Sequence, residues 1–226
     1  MSTRQLSIRT FAARSALLLI CSVAIGNRAC ADTPLKAITD AVDRHYNSVA
    51  TMSADFTETY TSAGTTRNES GTLLLKKPGK MLWNYTAPRA KVFLSDGKTA
   101  YFYVPGEPQG RKMPMKNLDD FRSPLRYLLG HTKLQKEFQS LKIISDSAGT
   151  TVLQGIPKGM SQQISTVQLT IRDNNIIAIR IEQIDGSVTA FAFSNEHDNL
   201  TIPDSKFRAD VPPGTHWIES SQLDAQ

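Results

Sequence analysis

The chain has 226 residues, with 26 Lys or Arg against 21 Asp or Glu, and a formal net charge of +5. The first 31 residues hold four of the arginines and no acid, so the rest has 26 − 4 = 22 basic and 21 acidic residues, a net charge of +1. A charge so close to balance gives little support to a nucleic-acid partner. Both cysteines, Cys21 and Cys30, also lie in those 31 residues, which excludes disulfides and cysteine-based sites from the remainder.

Residues 1–31 are typical of a signal peptide. Three arginines precede the apolar run SALLLICSVAI, which is too short to span a bilayer. Ala29-Cys30-Ala31 then fits the small-x-small cleavage pattern, so we predict that residues 32–226 form one exported domain. An uncleaved anchor and a lipoprotein acylated at Cys30 are the alternatives. Arg28 disfavours the second, because a small residue is wanted at that position.

The mature chain is predicted to begin with an amphipathic helix over residues 34–49, where Thr33 is the cap and Pro34 the first helical residue. Strands follow at 54–62 and 67–77, with a turn at Gly64. The stretch 71–103 reads as four short β segments, separated by Lys77-Pro78-Gly79, Ala87-Pro88 and Asp96-Gly97. Residues 111–115 could add one more strand.

A second helix is predicted to start at Ser123-Pro124, with Ser as cap and Pro at the first position. Leu125, Leu128 and Leu129 give it an apolar stripe, and Gly130 suits its end. It stands between two sheet-forming halves, as a lid or plug would.

The second half returns to β structure, with predicted strands at 138–145, 150–156, 164–172, 176–183 and 188–194 and an edge strand at 207–211. Alternating apolar and polar residues in these strands indicate antiparallel pairing with one buried face. The predicted fold is therefore mainly β (α+β). It is a single, strongly bent antiparallel sheet of about eleven strands, with a few short helices on its concave apolar face. A two-sheet sandwich is the competing architecture.

Motifs of catalysis are missing from the sequence. The four histidines show no metal-like spacing, and there is neither a G-x-S-x-G elbow nor a glycine-rich phosphate loop. We therefore predict no catalytic residue, no metal site and no cofactor. Residues that are scattered along the chain could still meet in space.

Lys77 stands out by its position in the alternation. If Leu73 and Leu75 point inward, the period of two turns Lys77 inward as well. A buried ammonium group needs acceptors, and the free carbonyls at the end of a covering helix would serve. We predict that Lys77 is a latch between sheet and lid, whereas Lys76 and Lys80 belong to a solvated turn.

Large apolar residues share the face of Lys77. Core packing is the ordinary explanation of such a stripe, but its density beside a latching lysine favours a ligand cavity. The predicted acyl-chain cavity consists of Leu73, Leu75, Met81, Trp83, Phe93, Leu125 and Leu128.

Three motifs resemble the periplasmic outer-membrane lipoprotein carrier, the LolA-type family. They are Gly71-x-Leu73-x-x-x-Lys77-Pro78, Trp83-x-Tyr85-x-x-Pro88 and Ser95-Asp96-Gly97-Lys98-Thr99. The resemblance implies an unclosed β-barrel of about eleven strands with helices over an apolar cavity. The family has Arg at the latch position; Lys77 keeps the charge but loses the planar fork.

The function implied by the resemblance is that of a monomeric periplasmic carrier without enzymatic activity. Its partners would be acylated lipoproteins, an inner-membrane lipoprotein-releasing ABC transporter and an outer-membrane lipoprotein receptor. A carrier or sensor of another envelope lipid or glycolipid is the alternative on the same fold. An exported lipid hydrolase is the rival from a different class.

Overall fold

The computed structural model describes residues 34–115 and 133–219. Helix α1 (Pro34–Ser48) and a single turn, α2 (Leu134–Glu137), are its α-helices. The strands are β1 (Thr51–Ser62), β2 (Thr65–Lys76), β3 (Lys80–Ala87), β4 (Lys91–Asp96), β5 (Thr99–Tyr103), β6 (Gln109–Pro114), β7 (Phe138–Ser147), β8 (Thr150–Pro157), β9 (Ile164–Arg172), β10 (Asn175–Gln183), β11 (Val188–Asp198) and β12 (His216–Glu219).

All twelve strands belong to one sheet, in the order β12-β6-β5-β4-β3-β2-β1-β11-β10-β9-β8-β7. Short turns place successive strands side by side, and the pairing of β1 with β11 joins the two halves. Every pair is antiparallel except β12, which runs parallel to β6. The order is linear and has β12 and β7 at its edges, so the predicted mainly β, unclosed sheet is confirmed, with twelve strands where about eleven were expected.

Three sequence predictions fall on residues outside the described part of the chain: the signal peptide at 1–31, Thr33 as a helix cap, and the helix at Ser123-Pro124. No helix within residues 34–115 and 133–219 is long and apolar enough to cross a membrane.

The predicted edge strand at 207–211 is wrong. Residues Asp204–Phe207 form a 3-10 helix, and the edge strand is β12 instead. Phe207 is buried, and Ala209 and Val211 pack against Val92 and Leu94 on the outer face of the sheet. The alternation of apolar residues is real, but it covers a sheet face instead of extending the ladder of strands.

The inner face of the sheet holds the main core, with α1 packed against it. Register places Leu73 opposite Trp83, and Trp83 opposite Phe93, so these three side chains share that face. Tyr46 anchors α1: its ring is 1% exposed and its hydroxyl accepts a hydrogen bond from the Ile176 amide at 2.9 Å. The helix therefore covers the sheet near β10.

The turn after β4 explains the Ser95-Asp96-Gly97 motif. Asp96 Oδ1 accepts hydrogen bonds from the amides of Lys98 and Thr99, both at 2.8 Å, and Gly97 has a φ of 96°. The buried Ser95 hydroxyl donates to the Gly79 carbonyl at 2.9 Å, which ties this turn to the preceding one.

Lys76 and Lys80 were predicted to belong to a solvated turn, but both form ion pairs. Their ammonium groups each lie 2.8 Å from a carboxylate oxygen of Asp204, and Lys76 also donates to the Ile202 carbonyl at 2.7 Å. These hydrogen bonds, from Lys76 first, lower the pKa of Asp204 from 3.8 to about 2. The 3-10 helix is thereby tied to the hairpin between β2 and β3.

Replacement of this carboxylate should lower stability in a pH-dependent way. Because the folded pKa of Asp204 lies below its unfolded value, its contribution is present above about pH 4 and is lost as the pH falls toward 2. We expect Asp204→Asn to melt below the wild type at pH 7 and to match it near pH 2. Thermal melts of both proteins across this range, with the exposed-turn variant Asp173→Asn as control, measure the gap. A gap of constant size down to pH 2 would contradict the assignment.

Candidate functional site

The inner apolar face brings five of the seven predicted cavity residues together on β2, β3 and β4. Leu73, Leu75, Met81, Trp83 and Phe93 are all 4% exposed or less. The other two, Leu125 and Leu128, lie outside the described residues. The side chains that sequence alternation assigned to one face therefore do form one apolar surface, which is shielded from water in this conformation.

Trp83 is the centre of this surface. Its ring lies 4.7 Å from that of Phe56 and 5.6 Å from that of Phe191, in edge-on or tilted contacts. Neither phenylalanine was predicted as a cavity residue, because they come from β1 and β11, far in sequence from the motif that contains Trp83. Their place in alternating strands was the only available signal.

The indole nitrogen of Trp83 carries a buried donor. Nε1 has no hydrogen-bond acceptor among the residues that the structure describes, although the side chain is fully buried. An unsatisfied buried donor costs about 1–3 kcal/mol. A ligand that brought an oxygen acceptor into the apolar interior would relieve that cost.

A polar cluster borders the apolar face at one end. The Tyr85 hydroxyl donates to Glu58 at 2.6 Å, and the Lys91 ammonium group lies 2.7 Å from Glu69 and 4.3 Å from the centre of the Tyr85 ring. Lys91 and Glu69 are only 11% and 10% exposed, which favours a strong pair. Charged side chains thus lie at this end of the apolar face.

Lys77 lies at the opposite end of β2 and reaches α1. Its ammonium group donates to the carbonyl of Tyr46 at 2.5 Å and to that of Asn47 at 3.4 Å, and its backbone amide donates to Ala50 at 3.0 Å. The carbonyl oxygens of the last helical turn receive no hydrogen bond from an amide within the helix. A cation such as the Lys77 ammonium group is therefore well placed there. Desolvation lowers the pKa of Lys77 below 10.5. The helix that offers acceptors is therefore α1.

An open groove of about 410 Å³ lies on the outer side, between the 3-10 helix and Trp217. Its lining combines the charged side chains of Lys80, Asp96, Asp204 and Arg208 with the apolar or aromatic ones of Tyr101, Phe207, Ala209, Val211 and Trp217. The inner face around Trp83 is apolar without such charges, and is therefore the better candidate for a hydrocarbon chain.

The comparison with protein families places most of this sheet in one family. The sequence model described as "Outer membrane lipoprotein carrier protein LolA" matches residues 47–210, well over half of the chain. The matched span begins in the last turn of α1 and contains Lys77 and the inner-face residues of β2, β3 and β4.

Curated relatives agree with that match. An "Outer-membrane lipoprotein carrier protein" of Chromobacterium violaceum is 28% identical over 169 residues, which cover 74% of this chain and 81% of the relative. A protein of the same name from Cupriavidus pinatubonensis is 27% identical over 189 residues, covering 80% and 87%. Another from Neisseria gonorrhoeae is 25% identical over 203 residues, covering 90% and 95%.

The burial of Trp83 predicts how the two tryptophans respond to a soluble quencher. In Trp217→Phe the remaining Trp83 should emit at short wavelength and resist iodide, because its side chain is fully buried. In Trp83→Phe the remaining Trp217, half-buried on the outer face, should be quenched more steeply. Stern–Volmer plots of the two purified variants provide the measurement. Equal quenching would show that the inner face is open to water in solution.

Proposed function

The chain belongs to the outer membrane lipoprotein carrier family, LolA, and we propose that it binds the acyl chains of lipoproteins on its inner apolar face and carries them through the periplasm. The observation that supports this most directly is the continuous surface around Trp83, built from Leu73, Met81 and Phe93 on a sheet that does not close on itself. A sheet that is not closed can part from its covering helix and admit a chain.

Water makes such a carrier necessary. Each exposed CH₂ of an acyl chain costs about 0.8 kcal/mol, so a lipoprotein with two or three chains is poorly soluble outside a membrane. An apolar face binds by area, and it would accept many cargo proteins that share one lipid anchor. Acyl chains attached by ester or amide bonds also bring carbonyl oxygens, which suit the unpaired donor of Trp83.

Cargo must displace contacts that the closed protein already makes. The inner-face side chains are buried in one cluster with Val42, Tyr46 and Val49, the first two from α1, and entry of cargo would require α1 to move from the sheet. The Lys77 contacts to Tyr46 and Asn47 oppose that movement. They make the empty, closed state competitive with the loaded one, and a competitive closed state favours release.

Delivery then runs downhill without an energy source in the carrier. The sequence has no ATP-binding motif, so loading falls to an inner-membrane lipoprotein-releasing ABC transporter and unloading to an outer-membrane lipoprotein receptor that binds more tightly. We propose that the chain reaches the periplasm through the signal peptide at 1–31 and acts there as a monomer without enzymatic activity.

A lipopeptide titration tests the binding step. In Trp217→Phe, Trp83 is the single reporter, and we expect a saturable change of its emission when a triacylated lipopeptide is added. The deacylated peptide of the same sequence is the matched control and should leave the emission unchanged. Absence of a saturable response to the acylated form would contradict the proposal.

The same titration separates cargo classes. A glycolipid or phospholipid that bound more tightly than the lipopeptide would favour a carrier or sensor of another envelope lipid. Release of free fatty acid or peptide during incubation would favour the hydrolase. Intact lipopeptide, recovered by mass spectrometry, is the result we expect.

A variant without the Lys77 latch should retain its cargo longer. Lys77→Leu deletes hydrogen bonds from a charged, partly exposed donor, for which about 1–2 kcal/mol is a reasonable value, or a shift of about 5- to 30-fold toward the open form. We expect the variant to bind lipopeptide more tightly than the wild type and to transfer it more slowly to acceptor vesicles that carry the receptor. Lys77→Arg should transfer normally since it keeps the charge, and the exposed Lys98→Leu serves as matched control. Wild-type transfer by Lys77→Leu would remove Lys77 from the mechanism.

A further inference from the structure

A β-bulge in β11 turns two carboxylates toward the inner face. Ser53 of β1 pairs with His197, but Asp55 pairs with Ser194, so three steps on β11 correspond to two on β1. Asn195 lies in this interval and has a φ of 52°. The extra residue reverses the alternation, a recognised way in which bulges re-aim side chains.

The reversal is visible in the burial of the strand. Phe191 and Phe193 face the core before the bulge, and Glu196 and Asp198 continue on that side after it. His197, between the two acids, is exposed. Without the bulge, the strand would have directed His197 inward and both carboxylates to solvent.

His45, in the last turn of α1, meets these carboxylates. Its Nε2 lies 3.5 Å from Glu196 Oε1 and 3.5 Å from Asp198 Oδ2, and the three ligand atoms are within 4.8 Å of one another. Both distances exceed the 2.7–3.2 Å of an ordinary N–H···O bond, roughly the range in which such bonds are strong. The imidazole is therefore equally close to two acids and well bonded to neither.

Within residues 34–115 and 133–219, His45 is the single basic side chain that contacts these carboxylates. Neither carboxylate forms an ion pair with a Lys or Arg side chain among the described residues, and Asp198 Oδ1 is buried with no hydrogen-bond partner there. Half-buried carboxylates in this position need a positive charge to offset desolvation.

We propose that His45, Glu196 and Asp198 bind one divalent transition-metal ion of the Zn²⁺ class. Zn–N and Zn–O bonds of about 2.0–2.2 Å place two ligands of a tetrahedral ion about 3.3–3.5 Å apart, which agrees with both distances from His45. Imidazole together with carboxylates suits zinc and its neighbours, whereas Mg²⁺ and Ca²⁺ prefer oxygen ligands alone. Water would complete the coordination.

A metal ion at this position would tie the last turn of α1 to β11. His45 precedes Tyr46, whose carbonyl accepts from Lys77, so the ion and the ammonium group would hold the same helix end through different strands. The ion would thus stabilise the folded chain irrespective of what the inner face carries. Because His45 and Glu196 are 151 positions apart, no local sequence motif could predict the site.

Calorimetry on untagged, chelator-treated full-length mature protein tests the proposal. We expect one Zn²⁺ per chain, at least about tenfold weaker binding by His45→Gln and Glu196→Gln, and Mg²⁺ and Ca²⁺ much weaker than Zn²⁺. His197→Gln, which removes the exposed neighbour, should bind like the wild type. Undiminished binding by His45→Gln and Glu196→Gln would overturn the site, as would a wild type that binds no Zn²⁺ at micromolar concentration.

Two measurements on the wild type guard against misfolded variants. Zn²⁺ should raise the melting temperature, because the ligands are assembled only in the folded state. In histidine-selective NMR spectra, Zn²⁺ should shift the His45 ring signals and leave those of His197 in place. A titration that moves His197 but not His45 would contradict the assignment.

Discussion

The antiparallel pairing of β1 with β11 is the constraint on which the rest of the structure depends. It joins two runs of hairpins that would otherwise be separate sheets, and it places Phe56 opposite Phe193. Trp83 finds aromatic neighbours from both halves only because this pair exists. The bulge within the same pair directs Glu196 toward α1. The apolar surface and the proposed metal site thus share one strand interface.

The inner face has to satisfy two demands with one set of side chains. As a core, it must exclude water, and Leu73, Trp83 and Phe93 are fully buried in the closed conformation. As the proposed carrier surface, it would give up those contacts to a lipid of similar apolarity. The exchange is feasible because hydrophobic contact is non-directional and roughly proportional to area. Polar contacts at the ends, such as those of Lys77 and Lys91, are directional, and in the proposed mechanism they would favour the closed conformation.

Strand positions and the sheet face could be predicted because they depend on local periodicity. Alternation assigned Leu73, Leu75, Met81, Trp83 and Phe93 to one side, and the register of β2, β3 and β4 places them there. Alternation carries no information on what an apolar stripe covers, which is why residues 207–211 were taken for a strand. The same limit applies to Lys76 and Lys80, whose partner Asp204 is more than a hundred residues away.

The amino-acid sequence by itself determined the fold class, the antiparallel hairpins and the apolar face, since each follows from neighbours a few positions apart and from the pleat of a strand. Tertiary structure alone decided which helix Lys77 reaches, which rings surround Trp83, and that His45 lies between two acids of β11. Those outcomes depend on how distant strands pair and on a single inserted residue, and no local pattern encodes either.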